Sequence, residues 1–209
     1  MRKIKLFLVV ACVAMLAACN TKPVETEKEM KYENETIATI MERRSIRKYK
    51  PETVARETLE KIMECGINAP NGQNKQSWEV RVVDNPEVMA EINAVIAEAY
   101  GEKAEMAVGC FRGAPVMVFI ARDLSYDFSA YDCGLLAENI MLSAQSLGVG
   151  SICLGSPVRI INDNEACAPV LERLGFSEGY EFCLCVGLGY ADEAPEAKPR
   201  MKEKVKFVE

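Results

Sequence analysis

The sequence predicts an α+β fold in which a central sheet is covered by helices, and three observations support this expectation. Helical and extended segments are intermixed along the chain, without the strict alternation of a parallel α/β sheet. Residues 115–121 are continuously apolar, which is typical of a strand buried on both faces. Residues 131–147 are apolar around most of a helical circumference, so we expect a helix at the centre of the domain or in a subunit contact.

The first half of the chain is expected to contribute three helices and one strand. Apolar residues at i, i+3 and i+4 mark a short amphipathic helix that begins near Thr36 and runs into a basic segment. A second helix starts near Val54 and ends before Pro70, because the residue preceding a proline is pushed out of the helical region. Residues 78–84 alternate like a strand, and residues 86–100 carry the apolar stripe of an amphipathic helix.

The second half is expected to add the most deeply buried elements. After the apolar strand and the long helix already described, a glycine-rich turn at residues 148–150 leads into residues 151–155. A helix around residues 164–174 and a strand over residues 180–188 follow. The last twenty residues are rich in proline and lysine and show no periodicity, and no internal repeat is visible. One folded domain over residues 36–209 is the resulting prediction.

Composition limits the chemistry that is open to the chain. Its 209 residues, 49% of them hydrophobic, are enough for one sizeable core. The net charge is −6, and the first 18 residues hold three basic groups and no acidic ones, so the remainder stands at −9 and repels nucleic acid. Histidine is absent, which excludes Ser-His-Asp and Cys-His nucleophiles and the commonest zinc ligand. A borrowed cofactor is therefore favoured, and we assign no metal ligands.

The N-terminus has the features of an export signal. A basic start precedes the apolar run of residues 6–18, which is too short to span a bilayer. The run ends in Leu16-Ala17-Ala18-Cys19, which resembles the lipobox of bacterial lipoproteins, so we expect Cys19 to be the lipid attachment site. The alternative is a plain signal peptide with an incidental cysteine. We predict a signal peptide over residues 1–18, a flexible tether over residues 19–35, and a lipoprotein anchored in the bacterial cell envelope, facing out of the cytoplasm.

Residues 41–49 are the most distinctive stretch of an otherwise acidic chain. Within seven positions they place three arginines, a lysine and a serine hydroxyl. Arginine offers planar paired donors that match phosphate oxygens, and a serine hydroxyl can fill a remaining lone pair. This is the composition of a phosphate clamp, but the segment by itself favours the alternative, and it is the rest of the chain that favours the clamp. The alternative is a solvated basic face of a helix.

Four short motifs follow one another along the chain. They are Arg43-Arg44-Ser45-Ile46-Arg47, the Ala-Pro-x-x-x-Asn-x-Gln-x-Trp loop at residues 69–78, the segment from Gly148-Val149-Gly150 to Leu154-Gly155, and Lys198-Pro199-Arg200. Their order and spacing resemble those of the FMN-dependent nitroreductase family over residues 36–209. The resemblance implies a central mixed β-sheet flanked by helices and a homodimer with two FMN sites at the subunit interface, each built from both chains.

The same resemblance implies a role for each motif. The FMN phosphate would be held by residues of the first and last motifs, namely Arg43, Arg44, Ser45, Lys198 and Arg200. Arg47 would lie against the pyrimidine edge of the flavin, and the backbone at Leu154 and Gly155 would meet the flavin near N5. The partner subunit would contribute residues of the amide-rich loop, namely Pro70, Asn71, Gly72 and Asn74.

The loop also departs from the family pattern at two points. Family members commonly have proline between the glutamine and the tryptophan, where this chain has Ser77, and Asn71-Gly72 replaces a more usual serine-containing pair. The amide chemistry of the loop is retained. These two departures leave open whether the loop is as stiff as the loop of other family members.

The implied chemistry needs no histidine. A flavin that accepts hydride at N5 builds negative charge over N1 and O2, which a fixed cation stabilises. No side chain has to act as nucleophile or base, so we assign no catalytic residue. We expect an FMN-dependent NAD(P)H oxidoreductase that reduces nitroaromatic, quinone or similar small conjugated acceptors, with NAD(P)H or a membrane carrier as the electron donor. The alternatives are reductive dehalogenation or enone reduction by a family relative, and a non-catalytic module that binds another phosphorylated ligand.

Two further patterns are interpreted as structural. Glycines in residues 148–155 and 187–189 echo a dinucleotide-binding fingerprint but lack its spacing or its following helix. Beyond Cys19 the chain has seven cysteines in apolar stretches and no Cys-x-x-Cys motif. We expect Cys183 and Cys185 to share one face of a strand and to fill the core.

Overall fold

This computed structural model describes residues 31–209, which contain four strands and seven α-helices. The strands are β1 (Trp78–Val83), β2 (Val116–Asp123), β3 (Gly150–Leu154) and β4 (Tyr180–Gly189). The helices are α1 (Glu35–Glu42), α2 (Arg56–Ile67), α3 (Pro86–Tyr100), α4 (Ala104–Val108), α5 (Ser129–Ser146), α6 (Ser156–Asn162) and α7 (Ala168–Leu174).

The strands form one sheet in the order β1-β2-β4-β3, which confirms the predicted α+β class. All three neighbouring pairs are antiparallel, so the expectation of a mixed sheet is wrong for the strands described here. The reason lies in the order of the strands. The connection through α5 leaves β2 and β3 pointing the same way, but β4 lies between them and pairs with both.

Helices cover both faces of the sheet, and each face has its own apolar cluster. Side chains of α3, α6 and α7 pack on one face, and the largest buried members there include Ile92, Ile96, Phe119, Ile161 and Phe182. Side chains of α2 and α5 pack on the other, around Leu59, Ile62, Ile120, Leu136 and Ile140. Residues 116–121 of β2 expose at most 3% of their surface, so the prediction of a strand buried on both faces is confirmed.

Local sequence signals set the ends of the helices. The side chain of Asn34 accepts a hydrogen bond from the Ile37 N–H at 3.0 Å and so caps α1. Asn85 caps α3 in the same way through the Glu87 N–H, and Pro86 begins that helix, where a missing N–H costs nothing. Gly175 takes the left-handed conformation that ends α7.

The helix expected around residues 164–174 is only partly correct. Its α-helical part, α7, begins at Ala168 with Pro169 in the first turn, and residues 165–167 form a separate 3-10 turn. The additional helix α6 was not predicted. Seven residues are too few for a 3.6-residue periodicity to stand out in the sequence.

Cys183 and Cys185 do not share a face of β4, contrary to the prediction. The register between β2 and β4 shifts between Ile120 and Ala121, which is a β-bulge. A bulge inserts one residue and breaks the alternation of side chains. Cys183 consequently packs on the α5 side of the sheet and Cys185 on the α3 side.

The N-terminal predictions concern residues that the structure does not describe. The signal peptide over residues 1–18, the acylated Cys19 and the tether as far as residue 30 all lie outside the described range. Within residues 31–209, no helix combines the length and the apolar character needed to cross a membrane.

Candidate functional site

The arginine segment is extended and is attached to the edge of the sheet. Helix α1 ends at Glu42, and Arg43 already has an extended backbone (φ −53°, ψ 135°). The Ile46 N–H donates to the Ser151 carbonyl of β3 at 2.9 Å. The Ile46 side chain is buried, and Gly150 must be glycine beside it, since an added Cβ would lie 2.9 Å from Ile46 Cγ1. A solvated face of a helix is therefore the wrong description of this segment.

The C-terminal chain returns alongside the arginine segment. The Lys50 N–H donates to the Tyr190 carbonyl at 2.9 Å, and the Asp192 N–H donates to the Lys48 carbonyl at 2.9 Å. The Glu193 carboxylate accepts a further hydrogen bond from the Arg47 N–H. These contacts join two distant segments of the chain, and the residues of the last pair are 146 positions apart in sequence. Residues 195–200 are thereby brought across the arginines.

Tyr49 stabilises the junction between the arginine segment and the C-terminal segment. Its hydroxyl donates to the Ile46 carbonyl at 2.8 Å, and its ring lies against Gly189, where an added Cβ would approach within 2.7 Å. Burial, and then the nearby Glu193 carboxylate, raise the pKa of the Tyr49 phenol well above its usual value, with a smaller opposing effect from Arg47. The phenol therefore stays a neutral donor at every physiological pH.

The two segments enclose a small cationic cavity of about 120 Å³. Its lining includes all of the predicted phosphate ligands and the predicted pyrimidine-edge residue, namely Arg43, Arg44, Ser45, Arg47, Lys198 and Arg200. Pro195 and Glu196 complete the wall. Five cations against one carboxylate, in a cavity of this size, are suited to an anion such as a phosphate group.

The arginines differ in how far their donors are already used. Arg44 donates to the carbonyls of Met41 and Arg43, both at 2.8 Å, and so closes the end of α1. Arg200 donates to the Lys198 carbonyl at 2.9 Å, which shapes the opposite wall. Within residues 31–209 the Arg43 side chain forms no hydrogen bond or ion pair. Its guanidinium is the one in this wall with all its donors available to a ligand.

The third predicted motif lies at the end of β3. Leu154 is buried, and Gly155 is exposed with no atom within 4 Å of an added Cβ, so its backbone faces open space. Cys153 is exposed beside them, although it lies in an apolar stretch of the sequence. Desolvation and then the Glu138 carboxylate of α5 raise the pKa of the Cys153 thiol, while Arg43 lowers it. Arg43 of the cavity wall is therefore near enough to Cys153 for its charge to act on this thiol.

The amide-rich loop does not line the cavity of its own chain. Residues 72–74 form a 3-10 turn in which Gln73 and Asn74 take positive φ values of 54° and 55°. Gly72 packs directly under Tyr126, and an added Cβ would lie 2.0 Å from the Tyr126 hydroxyl, so any side chain here would have to displace that ring. The predicted loop residues are thus held in a defined conformation, and none of them lines the arginine cavity of its own chain.

Two residues that hold this loop were not predicted. Asp132 of α5 accepts hydrogen bonds from the Ser77 hydroxyl at 2.6 Å and from the Gly72 N–H at 3.0 Å, and both of these side chains, Asp132 and Ser77, are buried. A signal was present in the sequence. Asp132 is an acidic residue early in a helix that is otherwise mostly apolar, and such a residue needs a polar partner.

No cluster of three or more metal-ligating side chains occurs among residues 31–209. The cationic cavity and the exposed end of β3 both hold predicted site residues. Together with the sheet, they define an α+β protein with an anion site built from two distant chain segments.

Comparison with known proteins identifies the family. The chain belongs to the Nitroreductase family, whose profile matches residues 40–190. It is 31% identical over 183 residues to an NADPH-flavin oxidoreductase of Vibrio harveyi, which covers 82% of this chain and 72% of that protein. The predicted family and enzyme class, that of NAD(P)H-dependent flavin oxidoreductases, are confirmed at the level of these relatives.

Solved structures agree with this assignment. A nitroreductase with bound FMN from Desulfitobacterium hafniense DCB-2 is 35% identical and superimposes with a TM-score of 0.75, covering 85% of this chain and 100% of that one. A nitroreductase with bound FMN from Bacteroides fragilis is 26% identical, with a TM-score of 0.73 and coverage of 84% and 100%. The fold that surrounds the cationic cavity is thus one that holds FMN in similar proteins.

Proposed function

We propose that this protein is an FMN-dependent oxidoreductase whose cofactor phosphate binds in the cavity between the arginine segment and the C-terminal segment. The observation that carries the proposal is the convergence of six predicted ligands on one cavity of about 120 Å³. The donors fit the group chemically. A phosphate ester offers three oxygens at its end, and Arg43 has its full fork of donors free to meet them.

The remaining predicted contacts assign an orientation to the flavin. Arg47, at the same cavity, would lie against the pyrimidine edge, where a cation stabilises the charge of the reduced ring. The open backbone at Gly155 would donate its N–H toward N5. When bound, FMN supplies the two-electron redox chemistry, so no side chain of this chain has to act as nucleophile or base.

The active unit in this proposal is a homodimer. Pro70, Asn71, Gly72 and Asn74 lie on a loop that lines no part of its own chain's arginine cavity, and they would complete the site of the partner subunit. An apolar surface next to the cavity supports this arrangement: Ile40 and Met41 of α1 and Leu135 of α5 are each about half exposed, at 51%, 53% and 45%. A second copy of the chain would cover this surface.

The proposed reaction is the two-electron reduction of a nitroaromatic, a quinone or a similar small conjugated acceptor. An acceptor of this kind needs a flat surface on the flavin and few specific contacts. Reductive dehalogenation and enone reduction use the same site and are the alternatives within the family. A non-catalytic module for another phosphorylated ligand is the alternative outside it.

We further propose that the protein works at the membrane surface, anchored through Cys19, on the basis of the lipobox-like sequence alone. NADH and NADPH are scarce outside the cytoplasm. A membrane carrier would then deliver electrons in the cell, and anchoring would raise its effective concentration at the flavin. NAD(P)H would still reduce the flavin in vitro.

The absorbance of the purified protein tests the main proposal. Holoprotein with a flavin spectrum that bleaches on anaerobic addition of NADH, NADPH or a reduced quinol supports the enzyme. Bleaching by a nicotinamide with none by the quinol would contradict the membrane carrier. Colourless protein that acquires no flavin on incubation with FMN would favour the binding module.

A further inference from the structure

A buried carboxylate joins the amide-rich loop to the long helix of the domain. Asp132 exposes only 3% of its surface, yet both of its oxygens have partners. One accepts the Ser77 hydroxyl at 2.6 Å, and the other accepts the Gly72 N–H at 3.0 Å. The two donors stand five residues apart, near the two ends of the loop. A single side chain therefore fixes both ends.

The loop is the main polar partner of this carboxylate. Asp132 has no ion pair among residues 31–209. It lies in the first turn of α5, where the helix dipole favours a negative charge. Burying an ionised group without hydrogen bonds is costly, so the Ser77 and Gly72 bonds are the ones that make this position tolerable. Carboxylate and loop consequently stabilise one another.

Further contacts define the conformation between the two fixed points. Asn71 Oδ1 accepts the Gln76 N–H at 2.9 Å, which closes the loop on itself. The Lys75 ammonium lies 4.4 Å from the centre of the Tyr126 ring. Positive φ angles at Gln73 and Asn74 are unfavourable for residues with a side chain, so the loop needs outside support to keep them. Asp132 provides that support at the base of the loop.

We propose that Asp132 is a positioning residue for the flavin site of the opposite subunit. It touches no cofactor in this role. Asp132 holds the backbone of Pro70–Asn74 in the conformation that can reach the partner's cavity. It does so through its hydrogen bonds with the Gly72 N–H and the Ser77 hydroxyl. This inference rests on the proposed function, because it assumes an FMN site shared between two chains.

The first experiment measures the loop and the cofactor separately. Lys75 is exposed within the loop, so trypsin cleavage of the Lys75–Gln76 bond, followed by mass spectrometry on FMN-free protein, reports loop order directly. In Asp132→Ala we expect this cleavage to accelerate at least about tenfold, and the FMN dissociation constant to rise by about tenfold or more, since two hydrogen bonds are lost.

Two further variants separate geometry from folding. Asp132→Asn keeps an oxygen for the Gly72 N–H and a polar group for Ser77, so we expect cleavage and FMN affinity within about threefold of the parent protein. Ser129→Ala is the control, because Ser129 is a buried serine in the turn of α5 that holds Asp132. It should leave both the cleavage rate and the FMN dissociation constant unchanged. Ser77→Ala removes one of the two bonds and replaces Asp132→Ala if that variant does not fold.

Mixed dimers then test whether the loop acts across the interface. Asp132→Ala has an intact arginine cavity and a loosened loop, and Arg43→Ala has the reverse. If the loop serves the partner's site, unfolding and refolding a mixture gives hybrid dimers in which one site is doubly defective and the other is intact. We expect FMN binding at parental affinity to reappear at one site per hybrid dimer.

The outcomes are distinguishable. If the parent protein binds no FMN, the proposed function fails, and the trypsin experiment still shows whether Asp132 orders the loop. Accelerated cleavage with unchanged FMN affinity in Asp132→Ala would overturn the positioning role. Unchanged cleavage in both Asp132→Ala and Ser77→Ala would show that Asp132 does not restrain the loop. Hybrid dimers without recovery would show that the loop serves its own chain.

Discussion

The arginine cavity makes a quantitative prediction for Arg43. Its guanidinium is half-buried at the wall of the cavity and forms no hydrogen bond or ion pair within residues 31–209. Removing it by Arg43→Ala leaves no partner group unsatisfied, so the stability of the FMN-free protein should change by less than about 0.5 kcal/mol. A lost charge-assisted contact to phosphate should cost about 1.5–3 kcal/mol of FMN binding, or about 10- to 100-fold in dissociation constant.

Arg44 provides the internal comparison. Its guanidinium already bonds the carbonyls of Met41 and Arg43 at 2.8 Å, which otherwise would be unpaired at the end of α1. Arg44→Ala should therefore lower both FMN affinity and the stability of the FMN-free protein, the latter by about 1 kcal/mol. Arg159→Ala is the matched control, since Arg159 lies on α6 and its side chain is 86% exposed beside Asp163 at 4.0 Å.

Titration of the FMN-free variants with FMN at several salt concentrations measures the dissociation constants that these predictions concern. Salt screens exposed charges, so the parent protein should bind more weakly as ionic strength rises, and Arg43→Ala should show a shallower dependence. Thermal unfolding of the FMN-free variants measures the stability term independently. Parental affinity in Arg43→Ala, or an equal loss in Arg159→Ala, would refute the assignment of the cavity as the phosphate site.

Three other predictions follow from the same structure. Light scattering of the holoprotein should give twice the chain mass, and a holo monomer would be incompatible with a shared site. Iodoacetamide should label Cys153 in the FMN-free protein, and bound FMN should protect it. Because the thiolate is the reactive form and the pKa of this thiol is raised, the labelling rate should rise at more alkaline pH than for an ordinary cysteine; labelling that ignores FMN would place the cofactor elsewhere. Cys19→Ala should release the protein from the membrane fraction or leave it unprocessed, and unchanged mature size and partition would exclude lipid attachment there.

Much of the fold could be predicted from periodicity. Helix α3 was predicted with its observed bounds, Pro86–Tyr100, because a capping residue, a starting proline and a regular apolar stripe all agree. β2 was equally clear, since a continuous apolar run has few other interpretations. The bulge beside Cys183 could not be predicted, because it depends on how β2 and β4 align and leaves no local trace in either strand.

The residues that line the cavity were predicted from the sequence, but their arrangement in space was not. Composition suggested a phosphate clamp and left a solvated helix face as the alternative, and the resemblance to a family assigned Arg43 and Arg44 to the FMN phosphate together with Lys198 and Arg200. Only the structure shows what brings the two ends together, namely the hydrogen bonds between residues 47–50 and 190–193. Long-range pairing of this kind is set by the whole fold, so neither segment specifies its partner by itself.

Ser77 illustrates why a departure from a family pattern needs the structure to be understood. Proline would stiffen the loop through its ring, and its replacement left the stiffness of the loop open. In this protein the Ser77 hydroxyl reaches Asp132 at 2.6 Å, so a buried hydrogen bond supplies the restraint. The pair can be recognised only when α5 and the loop are seen side by side, because 55 residues separate the two side chains in sequence.

Assembly and cofactor binding should stabilise each other in this protein, as the position of its apolar surface indicates. Ile40 and Met41 lie in the last turn of α1, within three residues of Arg43. Leu135 of α5 is three residues from Glu138, whose carboxylate contributes to the raised pKa of Cys153. A second copy that covers these side chains would also remove water from one side of the arginine cavity. Electrostatic attraction between a guanidinium and a phosphate is stronger where water is excluded. If the same contact also brings in the loop held by Asp132, as proposed, FMN would select the dimer, and the dimer would in turn raise the affinity for FMN.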